Sequence, residues 1–519
     1  MRKRIGRMAL LSLVFLLSGC GNVNQEDLGT DNTQASDAVI HSGSEVPAST
    51  EKEEIELQTY SWDEAVVYEA ESGTLLGETK VSSQSGAECV DGFVNDADGV
   101  EIKIHIEEAG FYDLSVFSKS GGNYKENFVW VDDEKLGSVV TQSKDYEDSI
   151  LSRVYMEAGD HTVKIMKSWG WIQVDSIKVK PADELDPGRF DIEPVPVNPN
   201  ASDNVKRLLT YLCDIYGTDI LSGQVCDDGM FGHENAVIWK ATGKYPAILG
   251  LDMMDYTPSR VAHGSTSSAV EHAIEYWEQG GIVTFCWHWN APEKYIDGTW
   301  YSAFYKEHTN IDLAKIMNGQ DKEGYDLLMA DIDAIAVQLQ RLEDAGVPIL
   351  WRPLHEASGG WFWWGNAGPE AYKELYVLLY DRLTKEYGLD NLIWVWNGQD
   401  KDWYPGDEYV DIIGEDIYPG EKVYTPQTAK YLEVLEYTEA PKMIILSENG
   451  CMFDPDLAIR DGAMWGSFCT WGGEFISESD SLFVFSQQYT EEYMLKKVYE
   501  HEHVITRDEL PDLKNYPLR

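Results

Sequence analysis

The chain has 519 residues with 41 basic and 90 acidic side chains, which gives a formal net charge of −49 at pH 7. So large an acidic excess argues against nucleic acid and against anionic lipid headgroups as partners, because both are bound through basic surfaces. The hydrophobic content of 43% predicts a folded protein, and the length predicts two to four domains. Aromatic residues make up 12% of the chain, and they indicate either a large core or platforms that stack on sugar rings.

The first twenty residues are typical of a bacterial export signal. Four basic residues precede an apolar run over 8–17, which is too short to span a bilayer as a helix. Small residues directly before Cys20 resemble a lipobox, so we predict a lipoprotein signal peptide over 1–20 with lipidation at Cys20. Residues 21–61 are acidic and polar, and we expect a disordered linker there. The protein is therefore predicted to be exported and lipid-anchored to the bacterial cell membrane or cell surface.

Residues 62–181 have the pattern of an all-β domain. Short runs such as 100–106 and 162–166 alternate apolar and polar residues, and glycine-containing turns separate them. Several short strands in a segment of this length predict a β-sandwich. Residues 182–201 contain several prolines, and we predict a semi-rigid linker between two domains.

Residues 202–519 alternate apolar strand candidates with amphipathic segments of helical periodicity. Eight strands separated mainly by helices predict an α/β fold, a (β/α)₈ TIM barrel, with an open doubly wound sheet as the alternative. The sequence holds no Gly-x-Gly-x-x-Gly or Walker loop that would favour the open sheet. The strand candidates are 220–224, 246–252, 282–289, 348–356, 392–397, 410–418, 442–449 and 468–475.

Two glutamates stand where a barrel of this kind places its active site. Glu356 and Glu448 end the fourth and seventh strand candidates, which are otherwise apolar. An ionised glutamate among apolar neighbours needs a partner or a chemical task. Two carboxyl groups roughly 5–5.5 Å apart hydrolyse a glycosidic bond with retention, one as nucleophile and the other as acid/base. Because Trp and His residues end several of the same strands, the pattern predicts an enzyme that acts on sugars.

The segment 352–365, with Arg-Pro-Leu-His-Glu followed by Ala-Ser-Gly-Gly-Trp-Phe-Trp-Trp-Gly, resembles the signature of glycoside hydrolase family 26. That family consists mainly of β-mannanases, and the resemblance extends over 202–519. It implies that Glu356 is the acid/base and Glu448 the nucleophile of a retaining endo-β-1,4-mannanase that hydrolyses mannan, glucomannan or galactomannan. The residues that it implies for substrate binding are His288, His355, Trp361, Asp416, Tyr418 and Trp471.

The sequence departs from the family pattern at Ala357-Ser358, where the family commonly has Met-Asn. This difference bears on substrate preference, so another β-glycanase of the family, a β-1,3-xylanase or a mixed-linkage glucanase, is one alternative. A non-catalytic lipoprotein that captures glycans is the other. Catalysis is expected to need no metal or other cofactor, since acid, nucleophile and hydrogen bonds to the sugar supply it. We expect a monomer whose partner is a β-mannan-type polysaccharide.

The β-sandwich resembles a family 35-type carbohydrate-binding module. The resemblance lies in Tyr-Glu-Ala-Glu at 68–71, Val-Asp-Gly-Phe at 90–93 and Val-Asp-Ser-Ile at 174–177. It implies a structural Ca²⁺ held by Glu69, Glu71 and Asp175, and carboxylate oxygens are ligands that calcium prefers. Trp169 and Trp171 are the candidate sugar-binding rings of this module, with packing in the core as the alternative for each.

Overall fold

The computed structural model describes residues 57–84, 87–478 and 483–519. The predictions for 1–20, including lipidation of Cys20, lie outside these residues, as does nearly all of the linker predicted over 21–61. Within the described part of the chain, no helix has both the length and the apolar character that crossing a membrane requires.

The first domain is a sandwich of two packed antiparallel sheets, as predicted. One sheet has the strand order β3-β4-β11-β6-β9, with β1 paired to β11, and the other has the order β2-β5-β10-β7-β8. Alternate residues face the shared core, and on β5 these are Val100, Ile102, Ile104 and Ile106. The strands are β1 (Val66–Glu69), β2 (Thr74–Leu76), β3 (Lys80–Gln84), β4 (Ala87–Asp91), β5 (Gly99–Ile106), β6 (Gly110–Lys119), β7 (Lys125–Val131), β8 (Glu134–Thr141), β9 (Glu147–Met156), β10 (Gly159–Trp169) and β11 (Gln173–Pro181).

The second domain contains a parallel sheet in which each strand pairs with the next one along the chain. Its strands are nearly continuous runs of buried residues, as expected for a sheet covered by helices on its outer face. A short pair, β12 (Ile220–Leu221) and β20 (Val504–Ile505), lies beside it. The strands of the sheet are β13 (Gly223–Val225), β14 (Ile248–Asp252), β15 (Ile282–Trp287), β16 (Ile349–Pro353), β17 (Leu392–Trp396), β18 (Ile412–Ile417) and β19 (Met443–Asn449).

Residues 467–470 close the barrel in the position of the eighth strand. Thr470 forms parallel bridges with Asn449 on β19 and with Gln224 on β13. The backbone amide of Thr470 donates to the carbonyl of Gly223 at 3.1 Å, and that of Asn449 donates to the carbonyl of Cys469 at 3.1 Å. The eighth strand is therefore shorter than the predicted 468–475, because the chain leaves the barrel after Thr470. The predicted (β/α)₈ fold is confirmed.

Helices cover the outside of this barrel and pack their apolar faces against the strands. In the longest helix, Lys322–Asp344, the buried positions recur at helical spacing and include Leu328, Ile332, Ile335 and Leu339. The helices are α1 (Asp203–Ile215), α2 (His233–Thr242), α3 (Pro258–Ala262), α4 (Ala269–Glu278), α5 (Leu313–Met317), α6 (Lys322–Asp344), α7 (Pro369–Tyr380), α8 (Thr428–Leu435), α9 (Pro455–Asp461) and α10 (Glu492–Glu500).

The segment 182–201, predicted as a linker, lies against the barrel. The amide of Val197 donates to Asp411 Oδ1 at 2.7 Å. The side chain of Asn198 is buried, and its Nδ2 donates to the carbonyl of Leu389 at 3.2 Å. From the sandwich, Arg153 Nε donates to the carbonyl of Asp461 at 3.0 Å. These contacts hold the two domains together along the surface of the barrel.

Candidate active site

Glu356 lies just beyond the carboxyl end of β16 on a strained turn. Leu354 and Glu356 have φ angles of 55° and 53°, in the left-handed region that residues other than glycine seldom adopt. The amide of Glu356 donates to the carbonyl of Asn397 at 2.7 Å, which ties the turn to the end of the neighbouring strand. Its Oε2 accepts a hydrogen bond from Trp361 Nε1 at 2.9 Å. The turn and the tryptophan together fix the direction of this carboxyl group.

Glu448 reaches the same space from β19 because that strand contains a β-bulge. Glu415 pairs with Leu446 and Asp416 pairs with Glu448, so Ser447 is an extra residue in the ladder. Ser447 Oγ donates to Asp416 Oδ1 at 2.7 Å inside the barrel. A bulge re-aims the side chains that follow it, and here Glu448 also turns to the barrel interior.

Arg352 on β16 holds two of the three carboxylates that meet at this point. Carboxylate oxygens of Glu356, Asp416 and Glu448 lie within 4.8 Å of one another. Arg352 Nη1 donates to Asp416 Oδ2 at 2.9 Å, and its Nη2 donates to Glu448 Oε1. Tyr418 Oη donates to Glu448 Oε2 at 2.6 Å. Both oxygens of Glu448 are therefore oriented by donors, one of them cationic.

The environments of the two glutamates differ in a way that separates their chemistry. Burial raises the pKa of Glu356 well above its usual range, and the charges of Asp416 and Glu448 raise it further. Burial also raises the pKa of Asp416, to about 7. The cation of Arg352 contacts Asp416 and Glu448, whereas the partner of Glu356 is the neutral indole of Trp361. In such a pair, the protonated carboxyl group can act as the general acid and the oriented carboxylate as the nucleophile.

A chain of hydrogen bonds runs along the pocket from β14. His288 Nδ1 lies 2.6 Å from Asp252 Oδ2, and His288 Nε2 lies 3.3 Å from His355 Nε2. Burial opposes a charge on His288, but the Asp252 carboxylate raises the pKa of His288. Burial and the charge of Arg352 hold the pKa of His355 well below its usual range. The two pKa shifts are opposite, so of the two rings His288 carries the positive charge more readily and His355 stays neutral as the hydrogen-bond acceptor. Sequence reasoning missed Asp252, although it ends the second strand candidate.

Aromatic side chains form the walls of the pocket. The ring of Trp471 meets that of His288 edge to face, with ring centres 5.9 Å apart. Tyr305, which the sequence analysis did not single out, stacks on Phe362 with ring centres 5.5 Å apart. Burial and the neighbouring charge of Glu356 raise the pKa of Tyr305 to about 12. Trp471 and Tyr305 are half-buried and Phe362 is buried, and these rings give the site the apolar surfaces that sugar rings prefer.

All eight residues predicted for this site meet at the carboxyl end of the strands, and two of those predicted to bind substrate are almost wholly buried. The side chain of Asp416 is fully buried, and its oxygens are taken by Arg352 and Ser447. His355 is 1% exposed and contacts His288. Their hydrogen bonds to other residues of the site fit a positioning role, and direct contact of either residue with substrate stays a prediction.

Replacing Arg352 by methionine is expected to lower the free energy of unfolding by about 3–5 kcal/mol, because two buried carboxylates lose their cation. The matched control is Arg382→Met, which removes a partly exposed arginine that pairs with Asp333 and Glu386. We expect the control to cost about 1 kcal/mol or less. Urea denaturation followed by circular dichroism measures both. Equal losses would show that Arg352 is not an essential buried counter-ion.

In the sandwich, the three predicted calcium ligands lie near one another. Partial burial raises the pKa of Glu69, and the charges of Glu71 and Asp175 raise it further. Glu71 Oε2 is buried and has no hydrogen-bond partner. Among the described residues, the groups of three ligand side chains whose donor atoms lie within 4.8 Å are both in the barrel, so the trio in the sandwich is more open. A cation there would need further oxygen ligands from the backbone or solvent.

The two candidate tryptophans of the sandwich differ in exposure. Trp169, at the end of β10, is 54% exposed. Trp171 is half-buried, and its Nε1 donates to Asp91 Oδ1 at 2.6 Å. Trp169 therefore exposes more than half of its surface, whereas Trp171 is anchored within the domain by its hydrogen bond.

Comparison with known proteins supports both domains. Residues 197–509 match the model of glycosyl hydrolase family 26, and residues 66–182 match that of carbohydrate binding module family 35. The chain is 39% identical over 453 residues to a mannan endo-1,4-beta-mannosidase of Thermothelomyces thermophilus, covering 86% of this chain and 90% of that protein. It is 34% identical over 458 residues to mannan endo-1,4-beta-mannosidase B of Piromyces sp, covering 86% of this chain and 77% of that one.

Solved structures give the same result. The crystal structure of the Podospora anserina GH26-CBM35 beta-(1,4)-mannanase matches with a TM-score of 0.62 and 39% identity, and the match covers 87% of this chain and 99% of that one. A ruminal GH26 endo-beta-1,4-mannanase matches with a TM-score of 0.61 and 28% identity over 88% of this chain and 99% of that one. With its catalytic barrel placed after a family 35 carbohydrate-binding module, this chain belongs to glycosyl hydrolase family 26.

Proposed function

We propose that the chain is a retaining endo-β-1,4-mannanase that hydrolyses mannan, glucomannan or galactomannan. The observation that carries the proposal is the pair of glutamates whose carboxyl oxygens lie within 4.8 Å. Oxygens this close suit double displacement, in which the carboxyl groups lie roughly 5–5.5 Å apart, better than the roughly 6.5–9.5 Å separation of inverting enzymes. Relatives named as mannan endo-1,4-β-mannosidases favour mannan over the β-1,3-xylan and mixed-linkage glucan alternatives.

In the first step, an oxygen of Glu448 attacks the anomeric carbon while the bond from that carbon to the leaving sugar breaks. Glu356 transfers its proton to the departing oxygen, which would otherwise leave as a strongly basic alkoxide. The raised pKa of Glu356 keeps that proton in place to a higher pH than an ordinary glutamate would. The product of this step is a sugar covalently joined to Glu448.

In the second step, Glu356 is ionised and removes a proton from water, which attacks the same carbon as the bond to Glu448 breaks. Because each step inverts the anomeric carbon, the released sugar retains its configuration. Arg352 and Tyr418 donate to the oxygens of Glu448 and so stabilise the carboxylate when it leaves. The same contacts orient it for the next turnover.

A panel of polysaccharides tests this proposal. We expect the wild-type chain to release reducing ends from linear mannan, glucomannan and galactomannan, with mixed product lengths that indicate internal cleavage. Release from β-1,3-xylan or mixed-linkage glucan alone would move the assignment to the alternative β-glycanases. Binding of mannan without any release of shorter products would favour a glycan-capturing lipoprotein.

We also propose that the enzyme acts outside the cell as a monomer anchored through lipidated Cys20. The support for export and anchoring is the basic and apolar signal segment over 1–20, and a polymeric substrate is itself found outside cells. Partition of the wild-type chain into a detergent phase, and of Cys20→Ser into the aqueous phase, is the expected result. Light scattering of the aqueous form checks the monomer.

A structural Ca²⁺ in the sandwich is proposed at Glu69, Glu71 and Asp175. The support is the buried, unpaired Oε2 of Glu71 and the mutual repulsion of the three charges. A cation bound only by the folded state stabilises that state. We therefore expect added Ca²⁺ to raise the Tm of the sandwich and a chelator to lower it, with the response lost in Glu71→Gln. The exposed Glu107→Gln should respond like the wild type, and an unchanged response in Glu71→Gln would refute the site.

A further inference from the structure

The outer face of the sheet β2-β5-β10-β7-β8 carries a groove of about 790 Å³. It lies on the sandwich and shares no residue with the barrel site. Phe128 and Trp130 line it, together with apolar side chains of β2 and β10, and five charged side chains stand around them. We refer to this feature as the sheet groove.

The aromatic residues of the sheet groove are on the side of β7 that faces away from the core. Val129 and Val131 are buried between the sheets, so the alternating Phe128 and Trp130 point outward, where both are half-buried. The outer face of a sandwich sheet is usually polar. Two large aromatic rings at consecutive outward positions of that face therefore indicate a ligand-binding surface.

The neighbouring strand extends this apolar strip. Met166 on β10 pairs with Phe128 on one side and with Gly99 on the other. A Cβ at position 99 would lie 2.6 Å from Met166 Sδ, so only glycine leaves the methionine in its place on the floor of the groove. Lys135 Nζ lies 3.5 Å from the centre of the Phe128 ring and covers one face of it. Trp130 is therefore the better candidate of the two rings for stacking on a ligand.

The charges around the sheet groove are paired with one another. Lys164 Nζ lies 3.9 Å from Glu101 Oε2 and 3.7 Å from Asp133 Oδ1. Lys167 Nζ lies 3.3 Å from Asp96 Oδ1. An anionic polymer would meet carboxylates beside each lysine, so the groove offers it no positive field. Donors and acceptors interleaved beside an indole ring suit a neutral ligand with vicinal hydroxyl groups and apolar C–H faces.

We propose that the sheet groove is a second carbohydrate-binding site, separate from Trp169 and Trp171, which takes a neutral, unbranched β-glycan chain. The assignment of that glycan to the mannan class rests on the proposed function. The groove holds the polysaccharide on the sandwich while the barrel hydrolyses it, so the protein contacts its substrate at two separate surfaces.

Affinity electrophoresis through gels that contain soluble glucomannan tests the site in the full chain. All variants carry Glu448→Ala so that the polysaccharide stays intact during the run. We expect Trp130→Ala to raise the apparent Kd about tenfold, as the loss of a stacking ring implies. Trp239→Ala is the matched control, since it removes a 51% exposed tryptophan from α2 of the barrel. Unchanged retention of Trp130→Ala would overturn the proposal.

A second measurement needs no substitution in the sandwich. Saturating glucomannan is expected to protect Lys164 and Lys167 from acetylation at least fivefold, while the exposed Lys80 on β3 reacts as before. Equal reactivity with and without the polysaccharide would overturn the proposal, as would protection by a polyuronate alone. A change of oligomeric state in Trp130→Ala, with glycan retention intact, would assign the groove to a second copy instead. Failure of the proposed function is seen separately, as absence of reducing ends from wild-type digests.

Discussion

Glu448→Ala is expected to lower kcat on mannan by about 10⁴-fold or more, because no other group can form the covalent intermediate. The fold should persist, since Arg352 keeps its contacts with Asp416 and Asn397 when Glu448 is removed. Initial rates of reducing-end release measure the loss, and thermal unfolding verifies the fold. The matched control is Glu500→Ala, which removes an exposed glutamate at the end of α10. It should retain wild-type rates.

Chemical rescue sharpens this experiment. A small anion such as azide can enter the space that the missing carboxylate leaves and attack the anomeric carbon directly. Since only one inversion then occurs, the glycosyl azide formed from a β-mannoside should have the α configuration. Wild-type activity in Glu448→Ala, or rescue with a β product, would show that another group is the nucleophile.

Glu356→Gln is expected to lower kcat on mannan by about 10²–10⁴-fold, the usual contribution of a general acid. The loss should depend on the leaving group, because an aryl mannoside with an acidic phenol departs without needing a proton. With that substrate the first step should stay fast and the second, which needs a base, should be slow. Stopped-flow measurement should therefore show a burst of phenol. An equal loss on both substrates, without a burst, would contradict the acid/base role of Glu356.

The pH dependence follows from the same residue. Burial and two negative neighbours hold the pKa of Glu356 above its usual range, and the protonated form is the one that donates. Activity should consequently persist to a higher pH than an ordinary glutamate would allow and fall as the pH rises through the raised pKa of Glu356. Gln cannot titrate, so the alkaline fall should vanish in Glu356→Gln. A fall at the same pH in both proteins would assign it to another group.

Much of the barrel can be predicted from the sequence because its strands are apolar runs that end in chemically distinctive residues. Alternation assigns a side chain to a face only while the ladder is regular. The extra Ser447 turns Glu448 to the interior, and the positive φ angles at Leu354 and Glu356 set the direction of the acid. No residue type in the sequence signals the bulge at Ser447 or the left-handed turn at Leu354 and Glu356, so neither could be predicted. The buried position of Asp416 depends on both strands and could not be predicted.

In the sandwich, the sequence predicts the strands but not which of their faces is buried. Its strands follow from alternation, but the pattern of β7 does not say which alternate set faces the second sheet. Phe128 and Trp130 look like core residues beside Val129 and Val131, and the structure places the aromatic pair outside. The outward direction of Trp130 is therefore visible only once the two sheets are packed.

The most direct test of double displacement by Glu356 and Glu448 is the configuration of the first product. Wild-type enzyme is mixed with a manno-oligosaccharide, and the anomeric protons are followed by NMR before mutarotation has proceeded. We predict that the β anomer of the new reducing end appears first and then equilibrates with the α anomer. Initial formation of the α anomer would mean a single inversion, and it would contradict a covalent intermediate on Glu448.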